Sequence, residues 1–455
     1  MATSMDQRNM SLRTITWPIF IELFLQTIMG STDTIMLSHI SDHVVAAVGV
    51  ANQLVFFTIL IFSFTATGTA VLVSQYLGAG MRKDAKQASA ISISINLVIG
   101  LVVSLLMVIF KGPLLALFNL KPDIAEIGYE YLSIVGGTLF LQAVLVTVSS
   151  ILRAHGFTRE AMFVSVMMNV IHLAGNSIVI FGLFGFPVLG VKGVAISTAV
   201  SRAAALLIAF ILMYRRLPIA IKKEDYFNLQ ISQIKKILKI GIPAASEQIS
   251  YNTSQMAMTA ITAIIGAAAL STRVYTWNIM SFIMLFGLAM GQGTQILIGY
   301  RVGAGDFEGA YRQLLKSLKY SFVITIFISI LVAVFREDMM RIFTNDKEII
   351  HTGGKLLLLC LILEPGRTFN ILVVNSLRAT GDAAFSVKIG LLSMWGIAVP
   401  ISYFLGIHLG LGLAGIWIAF IVDEWERGIV MYFRWRSRAW EKKVLVVNSK
   451  TATAR

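Results

Sequence analysis

The chain has 455 residues, of which 14% are charged and 56% apolar, with a formal net charge of +14. Soluble domains run at roughly 25% charged and 45–50% apolar, so an ordinary water-soluble globular protein is excluded. The one cysteine, Cys360, falls in an apolar run, which excludes disulfides and thiolate metal sites.

Apolar stretches long enough to cross a bilayer, about 20 residues each, recur from end to end. The polar segment Met1–Arg13 comes first, and no cleavable signal is expected ahead of the first span. Six spans are predicted at Thr14–Leu37, Val44–Tyr76, Ala88–Phe110, Ile127–Leu152, Ala161–Leu183 and Val191–Met213. Six more follow at Ile237–Ile265, Ala267–Tyr300, Tyr320–Phe335, Ile349–Leu377, Ala384–Ile407 and Leu411–Phe433. The expectation is an all-α polytopic membrane protein of twelve transmembrane helices. Its parts are an N-lobe over 1–214, a basic cytoplasmic linker over 215–239 lying along the membrane surface, a C-lobe over 240–434 and a basic cytoplasmic tail over 435–455.

The two lobes are copies of one unit. An offset of 225 residues carries Pro18 and Glu22 onto Pro243 and Glu247, and Gly68-Thr69 onto Gly293-Thr294. The same offset carries Gly78-Ala79-Gly80 onto Gly303-Ala304-Gly305, and Leu152-Arg153-Ala154-His155-Gly156 onto Leu377-Arg378-Ala379-Thr380-Gly381. Six helices per copy make the repeats parallel and pseudo-symmetric about an axis along the membrane normal, an arrangement of secondary transporters.

Lys and Arg set the orientation. With both termini in the cytoplasm, the inner segments hold Arg82, Lys83, Lys86, Arg215, Arg216, Lys222, Lys223, Lys235, Lys236 and the tail cations, whereas the outer segments hold few. Arg202, Lys355, Arg367 and Arg427 remain inside helices. The positive charge therefore reads as a signal for insertion into the cell (inner) membrane and for anionic lipid, with no nucleic-acid partner.

No P-loop, His-Glu-x-x-His or Gly-x-Ser-x-Gly pattern is present, so the chain is not expected to be an enzyme or an ATP-driven pump. No cofactor or metal is expected; the energy must come from an ion gradient, of protons or sodium. Ionisable residues inside spans are costly and mark functional sites by default. Asp33 and Glu22 in the first span lie three helical turns apart on one face, with Asp33 toward the outer side. The cost of charge in hydrocarbon favours a neutral carboxyl, which suits both for holding and releasing a proton; the alternative is a carboxylate tied to a neighbouring helix. Glu247 repeats Glu22 one turn after Pro243, as Glu22 follows Pro18, and the two prolines are candidate bends. In the fifth span Asn169, His172 and Asn176 are cavity candidates. In the tenth, Glu364 and Arg367 are three apart, and a local ion pair between them competes with a role in substrate contact. In the twelfth, Asp423 can pair with Arg427, leaving Glu424 to face elsewhere. The excess of interior acids favours cationic cargo, and 20 Met and 28 Phe can furnish adaptable apolar walls.

These residues resemble the multidrug and toxic compound extrusion (MATE) family of antiporters over almost the whole chain. The likeness rests on Trp17-Pro18 with Thr32-Asp33-Thr34-Ile35-Met36 in the first span, and on the twin Gly-Ala-Gly and Leu-Arg-Ala-x-Gly turns at one spacing. It implies two six-helix lobes arranged as a V around a central cavity, and export of varied, often cationic, small organic substrates in exchange for protons or sodium ions. It gives Asp33 the coupling carboxylate and Pro18 the bend of the first helix. Two departures matter. His172 and Asn176 stand where proton-coupled members carry Asn and Asp. Arg367 stands at the tenth-helix Asp of members with a C-lobe cation site, and the corresponding seventh-helix Glu would lie near Tyr251. Coupling through Asp33, by protons rather than sodium, is the expectation, in a monomer. The alternative is a lipid-linked oligosaccharide flippase of the same wider superfamily, which would need a cavity rich in Lys and Arg.

Overall fold

The structure is a computed structural model and describes Met10–Val446; the ends of the predicted N-terminal segment and of the basic tail lie outside the described residues. Among the described residues there are helices and no strands, and the contacts divide into two compact units, one ending at Gly241 and the other beginning at Ile242. The first contains α1 (Leu12–Ser38), α2 (Asp42–Gly78), α3 (Arg82–Ile109), α4 (Pro122–Val135 continued by Leu139–Ala154), α5 (Thr158–Phe181) and α6 (Gly190–Arg216). The second is built from α7 (Ile231–Ile265) from Ile242 onward, its first turns belonging to the first unit, and from α8 (Ala267–Gly303), α9 (Phe307–Val334), α10 (Lys347–Thr380), α11 (Ala383–His408) and α12 (Gly412–Arg436). The protein is a multi-pass membrane protein with this twelve-helix framework.

Eight of these helices are long and apolar enough to cross a membrane on composition alone, and α4 adds a ninth although its two segments are bent by 50°. The bend falls at Gly136-Gly137, where glycines loosen the backbone and Met107 packs so closely that a Cβ on Gly136 would lie 2.5 Å from its Cγ. The remaining three, α1, α7 and α12, are diluted by Glu22 and Asp33, by Glu247 and the hydroxyls around it, and by Asp423, Glu424, Glu426 and Arg427.

Chain reversals obey local chemistry. Ser41 and Asp346 cap α2 and α10 by accepting from backbone N–H groups two or three residues on. The twin turns found in the sequence are helix ends: Gly80 and Gly305, and Gly156 and Gly381, all have positive φ of 74° to 100°. Each is followed by an N–H that reaches back over the last turn, as Phe157 does to the Leu152 carbonyl and Asp382 to that of Leu377. A left-handed residue is needed there, and glycine adopts it without steric cost.

Pro18 and Pro243, expected at bends, sit inside helices that continue through them without interruption. A proline in a helix leaves the carbonyl four residues earlier without its donor. For Pro18 that carbonyl belongs to Thr14, and the Thr158 hydroxyl donates to it at 3.3 Å, so α5 supplies the bond that α1 lacks.

In the first unit α2 packs against α3 and α4, and α5 against α6 and α1; in the second α10 packs against α8, α9 and α12. The outward faces stay apolar, with Leu101, Leu105, Val323 and Phe327 exposed as lipid contact requires. Within the predicted linker, helix α7 already begins at Ile231, and a short helix spans Lys223–Phe227. That helix is fastened to α3: Lys86 Nζ lies 2.8 Å from both oxygens of Asp225, and Gln87 donates to the Asp225 and Asn228 carbonyls. Burial opposes the charged form of Asp225, but hydrogen bonds from Lys86 and the Lys222 N–H outweigh it and hold the carboxyl below its ordinary range.

Candidate functional site

Asp33 sits in the C-terminal half of α1 (Leu12–Ser38) and meets the polar face of α5. Asn176 Nδ2 donates to Asp33 Oδ1 at 3.4 Å, and His172 Nδ1 stands 3.6 Å from the same oxygen. The other ring nitrogen, Nε2, lies 3.3 Å from Asn176 Nδ2 and 3.1 Å from Thr198 Oγ1 on α6. A hydrogen on Nδ1, toward Asp33, leaves Nε2 free to accept from Asn176, which makes one consistent assignment of the network. Asn169, His172 and Asn176 share one face of α5 at intervals of three and four residues, as the sequence implied. Asn176 is buried, and its Oδ1 has no partner; Asn169 Nδ2 has none either. No Lys or Arg forms a salt bridge with Asp33 among the described residues.

Glu22 and Glu247 differ from Asp33 in this respect. Arg153 Nη1 donates to both Glu22 oxygens, at 2.9 and 3.0 Å, and Arg378 Nη2 donates to Glu247 Oε2 at 2.8 Å. The two clasps are repeats of each other, since 225 residues separate both the acids and the arginines. Each fastens the helix one turn beyond its proline to the last turn of α4 or α10. Both glutamates were expected among the ion-coupling residues, or else half-buried and solvated; each is instead buried and engaged by a guanidinium, for Glu22 the alternative of a carboxylate tied to a neighbouring helix. Arg153→Gln should leave Glu22 poorly compensated and lower stability by about 1.5–3 kcal/mol, the worth of a hydrogen bond to a charged group. The exchange Glu22→Arg with Arg153→Glu should recover most of that loss in a denaturation series in detergent. A single variant as stable as the parent would show that the clasp constrains nothing.

The second unit holds a denser network. Arg367 donates to Glu364 at 2.7 Å and to Glu424 at 3.4 Å, while Arg427 reaches Asp423 at 2.6 Å and Glu424 at 3.2 Å. Asn370 donates to Glu424 Oε2 at 2.8 Å, and the Ser393 hydroxyl lies 2.7 Å from oxygens of both Asp423 and Glu426. Arg367 also lies over the Trp277 ring, 5.5 Å from its centroid. Glu364 and Arg367, candidates for substrate contact, are consumed by this interior lattice, as the i, i+3 spacing allowed. Glu424 does not face elsewhere, as the sequence suggested: it is the bridge between the two arginines. Tyr251, on α7, lies within electrostatic reach of Arg367, Glu424 and Arg427. Spacing along one helix could find the Glu364–Arg367 and Asp423–Arg427 pairs, but not a link between α10 and α12.

Comparison with known proteins agrees with this geometry. The MatE family profile matches residues 18–178 and 243–404, one match in each repeat. "Uncharacterized transporter YisQ" of Bacillus subtilis (strain 168) is 48% identical over 436 residues, 96% of either chain. "Probable multidrug resistance protein NorM" of Thermotoga maritima is 27% identical, covering 95% of this chain and 93% of its own. Among solved structures, a MATE protein in the bent conformation superposes with a TM-score of 0.88 at 20% identity, over 95% of this chain and 96% of that one. A MOP superfamily transporter from Pyrococcus furiosus Vc1 gives a TM-score of 0.86 at 21% identity, over 95% and 96%. With both repeats matched and a relative at nearly half identity along its whole length, the chain belongs to the MatE family, the multidrug and toxic compound extrusion transporters.

Proposed function

We propose that this protein is a secondary active antiporter that exports organic, multidrug-type cations across the cell membrane in exchange for protons, acting as a monomer with both termini in the cytoplasm. Relatives named as probable multidrug resistance proteins support the cargo class. The observation that carries the coupling is the contrast among interior carboxylates. Glu22, Glu247, Glu364, Asp423 and Glu424 are all held by arginine and Glu426 accepts from the Ser393 hydroxyl, whereas the groups nearest Asp33 are an amide and an imidazole. A carboxylate without a fixed cation can exchange a proton, or a cationic cargo, without breaking an ion pair first.

The test is uptake of several fluorescent organic cations into everted membrane vesicles, energised first by a proton gradient and then by a sodium gradient. Uptake with protons and none with sodium alone is expected. Uptake driven only by sodium would overturn proton coupling, and no uptake of any cation under either gradient would overturn the export of organic cations.

A further inference from the structure

We propose that Arg202 on α6 is the recognition group for a carboxylate on the exported compound, so that the Asp33 site accepts molecules bearing both a cationic centre and a carboxylate. This rests on the reading of the Asp33 site as the place where cargo binds, and narrows its substrate class.

Arg202 lies twelve residues into the 27-residue α6, near the middle of the span. A guanidinium at that depth is costly, and it cannot shed its charge to escape the cost. The arginines of the second unit illustrate the usual solution: Arg367 and Arg427 are each shared between two carboxylates, and Arg273 donates to Gln255. Arg202 has no such solution. Among the described residues it makes no hydrogen bond and no ion pair; the residue is half-buried, and its Nη1 is closed off without a partner.

Its position ties it to the Asp33 site. Thr198 and Arg202 are four apart on α6 and share a face. The Thr198 hydroxyl touches His172 Nε2, and the imidazole turns its other nitrogen toward Asp33. Asn169, on the same face of α5 as His172, supplies a second donor without an acceptor in its buried Nδ2. The site therefore contains a fixed cation and a fixed anion that do not pair with each other, together with an unmet amide donor.

That arrangement is complementary to a zwitterion. A purely cationic ligand satisfies Asp33 but is repelled by Arg202 and leaves both donors unmet. A ligand whose carboxylate lies against the planar guanidinium gains two parallel charge-assisted hydrogen bonds, the geometry for which arginine is suited and lysine is not.

The test uses a matched pair of dyes: rhodamine B, with a delocalised cation and a free carboxylate, and its ethyl ester, with the cation alone. Binding to the purified full-length protein is read by fluorescence anisotropy. Arg202→Gln should weaken the acid on the order of tenfold or more, the range for hydrogen bonds to a charged group, and leave the ester unchanged. Arg202→Lys, which keeps the charge but not the fork, should weaken the acid by less and again spare the ester; it carries the test if the Gln variant does not fold. Equal effects on both dyes, or none on either, would overturn the proposal. Asp33→Asn separates it from the underlying reading. Weakening of both dyes together supports Asp33 as the cation contact. Indifference of both to Asp33→Asn, with the acid still sensitive to Arg202→Gln, would remove Asp33 from the binding site and leave the Arg202 assignment in place.

Discussion

Replacing Asp33 with Asn is expected to reduce gradient-driven efflux to the rate of vesicles lacking the transporter, while the protein inserts and folds normally. The amide has nearly the shape of the carboxyl and can still meet Asn176 and His172, so the packing of α1 on α5 is preserved. What it lacks is the ability to gain and lose a proton. Glu22, the other acid of α1, cannot readily take over, because Arg153 holds it through both oxygens. An Asp33→Glu variant, which keeps the acid but moves it by one methylene, should retain partial activity. Efflux from everted vesicles, normalised to transporter content, distinguishes these outcomes. Full-rate export by Asp33→Asn would mean that the acid does not couple transport.

Arg367→Leu should produce the largest loss of stability, about 3–5 kcal/mol, the range measured when one partner of a buried ion pair is removed. Glu364 is 0% exposed and Arg367 only 3%, so neither water nor lipid headgroups can replace the missing charge. Glu424 would keep Arg427 and Asn370, but Glu364 would lose its one salt bridge among the described residues, and its Oε2 already lacks a partner. The double variant Arg367→Leu with Glu364→Leu removes the stranded carboxylate as well and should recover much of the loss. Thermal unfolding in detergent measures both. A single variant with unchanged stability would show that Glu364 is neutral in the folded protein. The effect should exceed that of Arg153→Gln, since the Glu22 clasp is partly open, with 19% of the Arg153 side chain exposed.

The contrast between the two units is physical rather than a matter of residue count. In the second, carboxylates and guanidinia alternate across α10 and α12 and neutralise each other at short range. In the first, Asp33 and Arg202 form no ion pair among the described residues, and the groups that meet Asp33 are an amide and an imidazole. An interior that is electrostatically closed stabilises a rigid body, whereas one left open can respond to a proton or to cargo.

The sequence by itself determined the repeat, the all-helical membrane class, the positions of the twin glycine turns and the identity of most interior ionisable residues. Those features depend on composition, on periodicity and on backbone rules that act within a few residues, and so they are visible in one dimension. It also yielded the pairs along one helix, Glu364 with Arg367 and Asp423 with Arg427, because i, i+3 and i, i+4 neighbours meet in any α-helix. Only the tertiary structure decided which carboxylates were already neutralised. The arginines that hold Glu22 and Glu247, and one of the two that hold Glu424, lie on other helices, at separations of 131, 131 and 57 residues. No local rule fixes the rotation of one helix against another to the few ångströms on which an ion pair depends. For the same reason Arg202 looked like one interior cation among four, and only the structure showed that Arg367 and Arg427 are paired while the Arg202 Nη1 is buried without a partner.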